Sequence, residues 1–348
     1  MKILVVGPSW VGDMVMAQTL FMCLKQRYVS CDIDVLAPVW CRELLLCMPE
    51  VRSAIDLPIG HGSLELAIRY KISQDLRGRY DQAIILPNSL KSALIPFLAG
   101  IPLRTGWKGE LRYGLLNDLR KLDKAKYPLM IERFMALAYD KDQKLPLNYP
   151  KPTLQVKHEQ HQQLLKRLGV NQDLPILVLC PGAEFGESKR WPAKYYAQLA
   201  QQAITEKGVQ VWLLGSKNDQ PNANKITACM RAPFDKNLID LTGKSTLGEA
   251  VNLLSLARAV VSNDSGLMHV AAALGRPLVA IYGSSSAQFT PPLVVPVEIV
   301  RSTLSCSPCF ERTCRYGHYN CLRELSVCTV FQALERVMSN TPDDVRIL

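Results

Sequence analysis

Two segments of this 348-residue chain begin in the same way, and that repetition constrains the fold more than any other feature. Lys2–Val6 is a short apolar run that ends at a glycine–proline pair, and a helical pattern follows it. Ile176–Cys180 is a second such run, which ends at a proline–glycine pair before another helical pattern. Short continuous apolar runs bounded by glycine and proline are typical of parallel strands covered on both faces. Strand and helix patterns alternate after both openings, so the sequence predicts an α/β protein with two doubly wound, Rossmann-like domains.

A proline-rich stretch separates the two predicted domains. Residues 146–156 contain prolines and lack hydrophobic periodicity, which is typical of a linker. The sequence therefore predicts one domain at 1–145 and a second at 157–330, followed by a helix and tail at 331–348. Two such domains predict a cleft between them, and ligands of these sheets bind beyond the carboxyl ends of the strands.

The charge balance indicates an anionic partner. Lys and Arg number 41 against 31 Asp and Glu, a net charge of +10 that both halves of the chain share. Phosphates, nucleic acid and an anionic membrane surface are the partners that such an excess suits. The sequence has no apolar run long enough for a spanning helix, and its 11 cysteines come without a secretory signal. We therefore expect a cytoplasmic protein whose thiols are mostly free.

The loop after the first apolar run places an acid at the start of a helix. Gly7 and Gly12 allow the backbone to approach a ligand, and Asp13 follows them directly. An acid at this position could cap the helix or act as a general base toward an acceptor hydroxyl. The spacing leaves both interpretations open.

The loop after the second apolar run carries two cations. Lys189 and Arg190 precede Pro192, which suits the first position of a helix, so both cations lie beside free helix amides. This pattern predicts a diphosphate site, with a solvated basic turn as the alternative. The order of residues differs from that of a Walker A loop, which argues against a P-loop NTPase.

A third loop follows the apolar run at 259–261. Asp264 could accept a hydrogen bond from a ribose hydroxyl, and the amides of Ser265 and Gly266 could hold a phosphate. His269 lies about one helical turn further along, on the same side as Ser265. These residues predict a nucleotide-binding site, and a purely structural histidine is the alternative.

A basic stretch in the first half predicts a surface for an anionic, lipid-linked acceptor. Seven basic and three acidic residues lie between Arg104 and Lys126. Arg104, Lys108 and Arg112 recur at fours and would form one stripe on a helix, although two nearby glycines favour a loop. With Lys91 just upstream they are the candidate acceptor contacts, and a core helix with a solvated edge is the alternative.

Four cysteines near the end of the chain could form a structural zinc site. Cys306 and Cys309 have CxxC spacing, and Cys314 and Cys321 follow within 12 residues of that pair. The second pair is spaced more widely than in a zinc ribbon, so reduced thiols in a basic loop are the alternative.

Taken together, three long motifs resemble one family. They are GPSWVGDM at 7–14, PGAEFGESKRWP at 181–192 and NDSGLMHVAAALGRPLVAIYG at 263–283. In this order they resemble the bacterial ADP-heptose:lipopolysaccharide heptosyltransferases, and the resemblance covers nearly the whole chain. It implies a GT-B architecture, with the acceptor on the first Rossmann-like domain and the ADP-sugar on the second.

The resemblance also implies a reaction. L-glycero-D-manno-heptose would move from ADP-heptose, with inversion and without a metal or other cofactor, to the first heptose of the Kdo–lipid A inner core. Asp13 matches the general base of the family, and Lys189 matches the residue that neutralises the donor phosphates. Asp264, Ser265, Gly266 and His269 match its nucleotide-sugar motif. The implied place of action is the cytoplasm, peripheral on the inner membrane, in lipopolysaccharide biosynthesis, with no nucleic-acid partner.

Two other functions compete with this one. A GT-B glycosyltransferase that uses a different nucleotide sugar would show the same nucleotide and phosphate features. A nucleic-acid-binding protein with a four-thiolate zinc module would use the positive charge instead. A dinucleotide-dependent dehydrogenase is disfavoured because the first glycine loop lacks GxGxxG spacing.

Overall fold

The computed structural model describes residues 1–60, 62–156 and 161–339. The chain divides into two compact units, Met1–Gln155 and Val156–Leu348. Each unit contains a six-stranded sheet in which every paired strand is parallel. This confirms the predicted class of two doubly wound α/β domains.

The first unit has the strand order β3-β2-β1-β4-β5-β6. Its strands are β1 (Lys2–Val6), β2 (Asp32–Pro38), β3 (Val51–Leu57), β4 (Gln82–Ile85), β5 (Leu103–Trp107) and β6 (Asp118–Arg120). Its helices are α1 (Val11–Arg27), α2 (Arg42–Leu45), α3 (Leu66–Leu76), α4 (Leu94–Leu98) and α5 (Met130–Met135). The order reverses between β1 and β4, which pair directly with each other. In a doubly wound sheet this reversal opens a crevice for ligands at the carboxyl ends of those two strands.

The second unit repeats that topology, with the order β12-β11-β10-β7-β8-β9. Its strands are β7 (Ile176–Cys180), β8 (Gln210–Leu213), β9 (Leu238–Asp240), β10 (Ala259–Asn263), β11 (Leu278–Tyr282) and β12 (Val297–Arg301). Its helices are α6 (His161–Leu168), α7 (Ala193–Lys207), α8 (Gln220–Ala228), α9 (Leu247–Ser255), α10 (Gly266–Ala273), α11 (Asn320–Arg323) and α12 (Val327–Ser339). Here the order reverses between β7 and β10.

Burial explains why the central strands form where they do. All five residues of β7 and of β10 are buried, as expected for strands covered by helices on both faces. On one face α7, α8 and α12 pack against alternate strand residues, among them Leu179, Val261 and Ile281. Within the described part of the chain, no helix is both long and apolar enough to cross a membrane.

Candidate functional site

Three loops meet at the carboxyl ends of neighbouring strands in the second unit. They follow β7 at 181–192, β10 at 264–265 and β11 at 283–286, and these three strands are adjacent in the sheet. The two loops singled out in the sequence after β7 and β10 are therefore brought together at the point where the strand order reverses. The loop after β11 is a part of this site that sequence reasoning missed.

An ion pair joins the first two loops. The Lys189 ammonium lies 2.5 Å from Asp264 Oδ2, and the Asp264 side chain is only 4% exposed. Ser285 Oγ donates a second hydrogen bond to the same carboxylate oxygen. Lys189 Nζ also lies 4.9 Å from the centre of the Phe185 ring. These contacts hold the Lys189 ammonium at the carboxyl edge of the sheet, where its partly exposed side chain could contact a phosphate.

His269 stands on α10 behind this pair and is neutral at neutral pH. His269 is only 6% exposed. The pKa of His269 is lowered to about 4, chiefly by burial; the nearby Asp264 charge opposes the shift, and the Lys189 charge adds to it. A neutral imidazole at this depth can donate or accept one hydrogen bond without adding a second cation beside Lys189.

This lowered pKa makes stability depend on pH. Because the folded pKa lies below the ordinary value of 6.5, the unfolded chain binds the extra proton as pH falls from 6.5 toward 4. Between pH 7.5 and 5 wild type should lose about 2 kcal/mol more unfolding free energy than His269→Gln. Urea denaturation at both pH values measures the difference, in which the other titrating groups cancel. Equal losses in the two proteins would show that His269 is not held neutral.

Asn263, the last residue of β10, ties two of the loops together. It is fully buried; its Nδ2 donates to the Pro181 carbonyl at 2.8 Å. Its Oδ1 accepts from the Trp191 amide at 3.1 Å and from the Tyr196 hydroxyl at 3.0 Å. A buried amide needs partners for every polar atom. Asn263 thus fixes both ends of the loop that carries Lys189, a role that its sequence position alone did not indicate.

The helix that follows Asp264 presents its amino end to the same place. Ser265 is the N-cap residue of α10, and its side chain makes no capping hydrogen bond. The first amides of a helix lack partners within it and carry partial positive charge, which favours an anion. Lys189 and the start of α10 together form a candidate diphosphate site built from Asp264, Ser265, Gly266 and His269.

Arg190 takes a different path from Lys189. Its Nε donates to the Ala183 carbonyl at 3.2 Å, and its guanidinium lies 3.9 Å from Asp219 Oδ1. Asp219 Oδ2 accepts from the amide and hydroxyl of Ser216, whereas its buried Oδ1 has no hydrogen-bond partner among the described residues. The Asp219 carboxylate lies so close to Gly182 that a Cβ there would overlap it. Arg190 therefore contacts its own loop and the loop after β8.

In the first unit, Asp13 lies at the corresponding carboxyl edge. It is the third residue of α1, in the helix's first turn, directly after the loop that follows β1. The side chain is partly exposed, and the N-cap position of α1 is occupied by Trp10. Asp13 is therefore not the N-cap residue, which was one of the two interpretations of the sequence.

The four candidate acceptor cations are not brought together as one stripe. Arg104 belongs to the first half of β5 and Lys108 follows its end, so they lie toward opposite edges of the sheet, about 13 Å apart along the strand. Arg104 donates to the backbone oxygens of Ile101 and Leu115. Lys91 and Lys108 are at the carboxyl edge, and Lys108 is exposed. The helical alternative is therefore wrong, because residues 103–107 form a strand, and Lys108 and Arg112 lie in the loop after it.

Arg112 is a buried residue and does not offer its side chain to a ligand. It is 1% exposed and donates to the Pro87 carbonyl at 2.7 Å and to the Trp107 carbonyl. A third bond reaches Asn88 Oδ1 at 3.3 Å. The guanidinium fastens the loop after β4 to the loop after β5, so its role in this structure is to hold the edge that bears Lys91.

Replacing Arg112 should therefore destabilise the first unit. Arg112→Met leaves the buried Trp107 carbonyl and the partly buried Pro87 carbonyl without their donor, which should cost about 2–4 kcal/mol of unfolding free energy. Chemical denaturation of the variant against wild type measures this loss. Arg79→Met, which removes an exposed arginine of the same unit, should change stability by less than about 0.5 kcal/mol. Equal stabilities of the two variants would contradict the structural role.

The four clustered cysteines lie in one segment of the second unit. Cys321 is buried, while Cys306, Cys309 and Cys314 are partly buried and free. Burial raises the pKa of the Cys321 thiol to about 11, and the other three thiols are near enough to add to that rise. Across residues 1–60, 62–156 and 161–339, no group of three or more His, Cys, Asp or Glu side chains is arranged to hold a metal ion.

The chain is similar to known proteins along most of its length. The profile of glycosyltransferase family 9 (heptosyltransferase) matches residues 69–320. The chain is 48% identical to lipopolysaccharide heptosyltransferase 2 of Escherichia coli, over 97% of this chain and 99% of that protein. It is 50% identical to lipooligosaccharide heptosyltransferase 2 of Haemophilus influenzae, over 86% of this chain and 88% of that protein.

A solved structure shares the fold over nearly the whole length. The structure of E. coli ADP-heptose lps heptosyltransferase II matches with a TM-score of 0.89 and 46% identity, and covers 97% of this chain and 99% of that one. The match confirms the GT-B-like fold class that the three sequence motifs implied.

Proposed function

This chain belongs to glycosyltransferase family 9, the heptosyltransferases, and from that premise we propose that it transfers heptose from ADP-heptose to the inner core of lipopolysaccharide. The observation that carries the proposal is an identity of 48–50%, over 86–97% of this chain, to proteins named heptosyltransferase 2 in two organisms. The donor follows from the name of the structural relative, an ADP-heptose lps heptosyltransferase. The acceptor is the first heptose of heptosyl-Kdo–lipid A.

The reaction is an inverting displacement at the anomeric carbon. The acceptor hydroxyl oxygen forms a bond to C1 of the heptose while the bond from C1 to the β-phosphate oxygen breaks. Asp13 takes the proton of that hydroxyl as the general base, and ADP departs with the bonding electrons. A base in the first turn of a helix that follows a central strand is held on a rigid element, which suits this task.

The second unit binds the donor and takes up the charge of the departing diphosphate. Lys189 supplies a cation, and Ser265 and Gly266 supply the first amides of α10. Asp264 orients Lys189 through their ion pair and is the candidate acceptor for a ribose hydroxyl of the donor. His269 stays neutral, so it adds no further positive charge beside Lys189. These groups supply the charge stabilisation without a metal, and we expect transfer to proceed in EDTA.

The anionic acceptor meets the first unit. Lys91 and Lys108 remain the candidate contacts because both lie at the carboxyl edge beside the loops that Arg112 fastens together. The lipid anchor of the acceptor places the enzyme at the cytoplasmic face of the inner membrane, and the net charge of +10 favours such an anionic surface.

The test is transfer of heptose from ADP-heptose to heptosyl-Kdo–lipid A in the presence of EDTA. We expect turnover, with inhibition by ADP and none by UDP or CMP at equal concentration. Binding of ADP without turnover would keep the donor site but assign another acceptor or another sugar. A protein that binds no ADP would overturn the proposal.

A further inference from the structure

The Cys-rich segment, residues 306–321, has no part in the function described so far, although it packs directly against the donor loops. Ser307 Oγ donates to the Gly283 carbonyl at 2.7 Å, and the Phe310 amide donates to the Ser284 carbonyl at 2.7 Å. Ser188 Oγ donates to the Glu311 carbonyl. The segment is thus fastened both to the loop after β11 and to the loop that carries Lys189.

The contact between Gly186 and Arg312 is particularly close. Gly186 has a φ of 151°, a conformation that favours glycine, and a Cβ there would overlap the Arg312 carbonyl oxygen. Two residues after Gly186, the Ser188 amide donates a hydrogen bond to the same Arg312 carbonyl at 3.3 Å. These contacts hold the backbone of Arg312 directly against the loop that carries Lys189.

The Arg312 side chain shares an aromatic ring with Lys189. Its guanidinium carbon lies 5.4 Å from the centre of the Phe185 ring, and the Lys189 ammonium lies 4.9 Å from the same centre. Both cations are therefore held at the donor loop by one side chain. Cation–π contact of this kind keeps a charged group oriented without neutralising it.

The two cations differ in what neutralises them. Lys189 is paired with the buried Asp264, so that pair has no net charge. Arg312 is exposed and makes no ion pair with any carboxylate of the described residues. The diphosphate of a sugar nucleotide carries two negative charges and gains another as it departs. A planar guanidinium matches phosphate oxygens with two parallel hydrogen bonds.

We infer that Arg312 is a second diphosphate-binding residue of the donor site, presented by the Cys-rich segment. The inference rests on the proposed function, since it assigns a further contact for the same donor. Arg312 binds the diphosphate beside Lys189 and takes up part of the charge that develops when ADP leaves. The Cys-rich segment thereby has a role that does not depend on any metal.

The test compares two arginines of the same segment. Arg312→Gln should raise the Kd for ADP, measured by calorimetry, and the KM for ADP-heptose by about 10- to 100-fold. Arg312→Lys should fall between wild type and Arg312→Gln, because it keeps the charge but not the paired hydrogen bonds. Arg315 is also exposed and stacks on its own aromatic partner, Tyr316, at 5.7 Å, so Arg315→Gln is the matched control and should stay within about twofold of wild type.

Adenosine, which has no phosphate, separates charge recognition from a disturbed loop. Arg312→Gln should leave its inhibition constant unchanged, whereas a displaced loop would weaken ADP and adenosine alike. This inference would be overturned by equal effects of Arg312→Gln and Arg315→Gln on the Kd for ADP, or by an unchanged Kd in Arg312→Gln. Heptose transfer by the wild type would leave the proposed function intact in either case. A wild type that binds no ADP would overturn both.

Discussion

Replacing Asp13 by alanine is expected to lower kcat for heptose transfer by about 10²- to 10⁴-fold, the usual loss when a general base is removed. The affinity for ADP should stay the same, because ADP is assigned to residues of the second unit and Asp13 lies in the first. Steady-state transfer assays and calorimetry with ADP measure the two quantities on the same preparations. The pattern expected of a base is therefore a large loss in turnover with an unchanged Kd.

Two further variants test whether the Asp13 carboxylate itself is required: Asp13→Asn, and Asp32→Asn as the control. Asp13→Asn keeps the size and polarity of the side chain but cannot take a proton, so it should be as inactive as the alanine variant. Asp32 begins β2, at the opposite edge of the same sheet, where its carboxylate pairs with Arg52 at 2.6 Å. Its asparagine variant should keep kcat within about twofold, since exposed ion pairs contribute little. An active Asp13→Asn would exclude the carboxylate as the base.

Replacing Lys189 by methionine should have the second large effect. The kcat/KM for ADP-heptose should fall by about 10²- to 10³-fold, as when one donor to a developing negative charge is removed. The same change leaves the buried Asp264 carboxylate without its cation, so a loss of stability is expected together with the loss of activity. Urea denaturation and transfer kinetics on one variant record both effects.

A double variant separates the two causes. In Lys189→Met with Asp264→Asn the buried charge is gone, so most of the lost stability should return while activity stays low. Lys194→Met is the matched control, because Lys194 is exposed and stacks on Tyr195 at 5.0 Å much as Lys189 stacks on Phe185. It should behave as wild type. A double variant that regained activity would mean that Lys189 acts only by neutralising Asp264.

The outline of the donor site followed from local patterns. Short apolar runs predicted β7, which ends at a proline–glycine pair, and β10, and parallel strands bring their carboxyl ends to one edge. Lys189, Asp264 and His269 could therefore be assigned to the same place before any distance was known. The 2.5 Å ion pair between Lys189 and Asp264 could not, because 75 residues separate the two along the chain.

Other contributors to the site had no local signal of their own. Ser285 is one of three consecutive serines after β11, and Asn263 is a single amide at the end of a strand. Neutral polar residues are common in every loop, so only their buried partners identify them. Arg312, the further contact that we infer, lies in a segment whose most regular sequence pattern is the spacing of its cysteines.

The predicted basic stripe failed for a related reason. A spacing of four would have placed Arg104, Lys108 and Arg112 on one face of a helix, although two nearby glycines favoured a loop. The chain forms a strand only at 103–107, and the loop after it buries Arg112 because carbonyl groups near the ends of β4 and β5 supply the acceptors that a buried cation requires. The positive charge of these residues therefore did not distinguish an arginine that binds a ligand from one that bonds to the protein's own backbone.

The sequence by itself determined the central strands, the helices that follow them and the family, because these depend on short-range hydrophobic periodicity and on long contiguous motifs. Tertiary structure alone decided the edge strands, such as β3, β6 and β12, whose mixed burial erases the apolar run that identifies a buried strand. It also decided which polar side chains meet. Hydrogen bonds and ion pairs act over about 3 Å, and only the folded chain brings residues such as Asp264, Ser285 and Lys189 within that range.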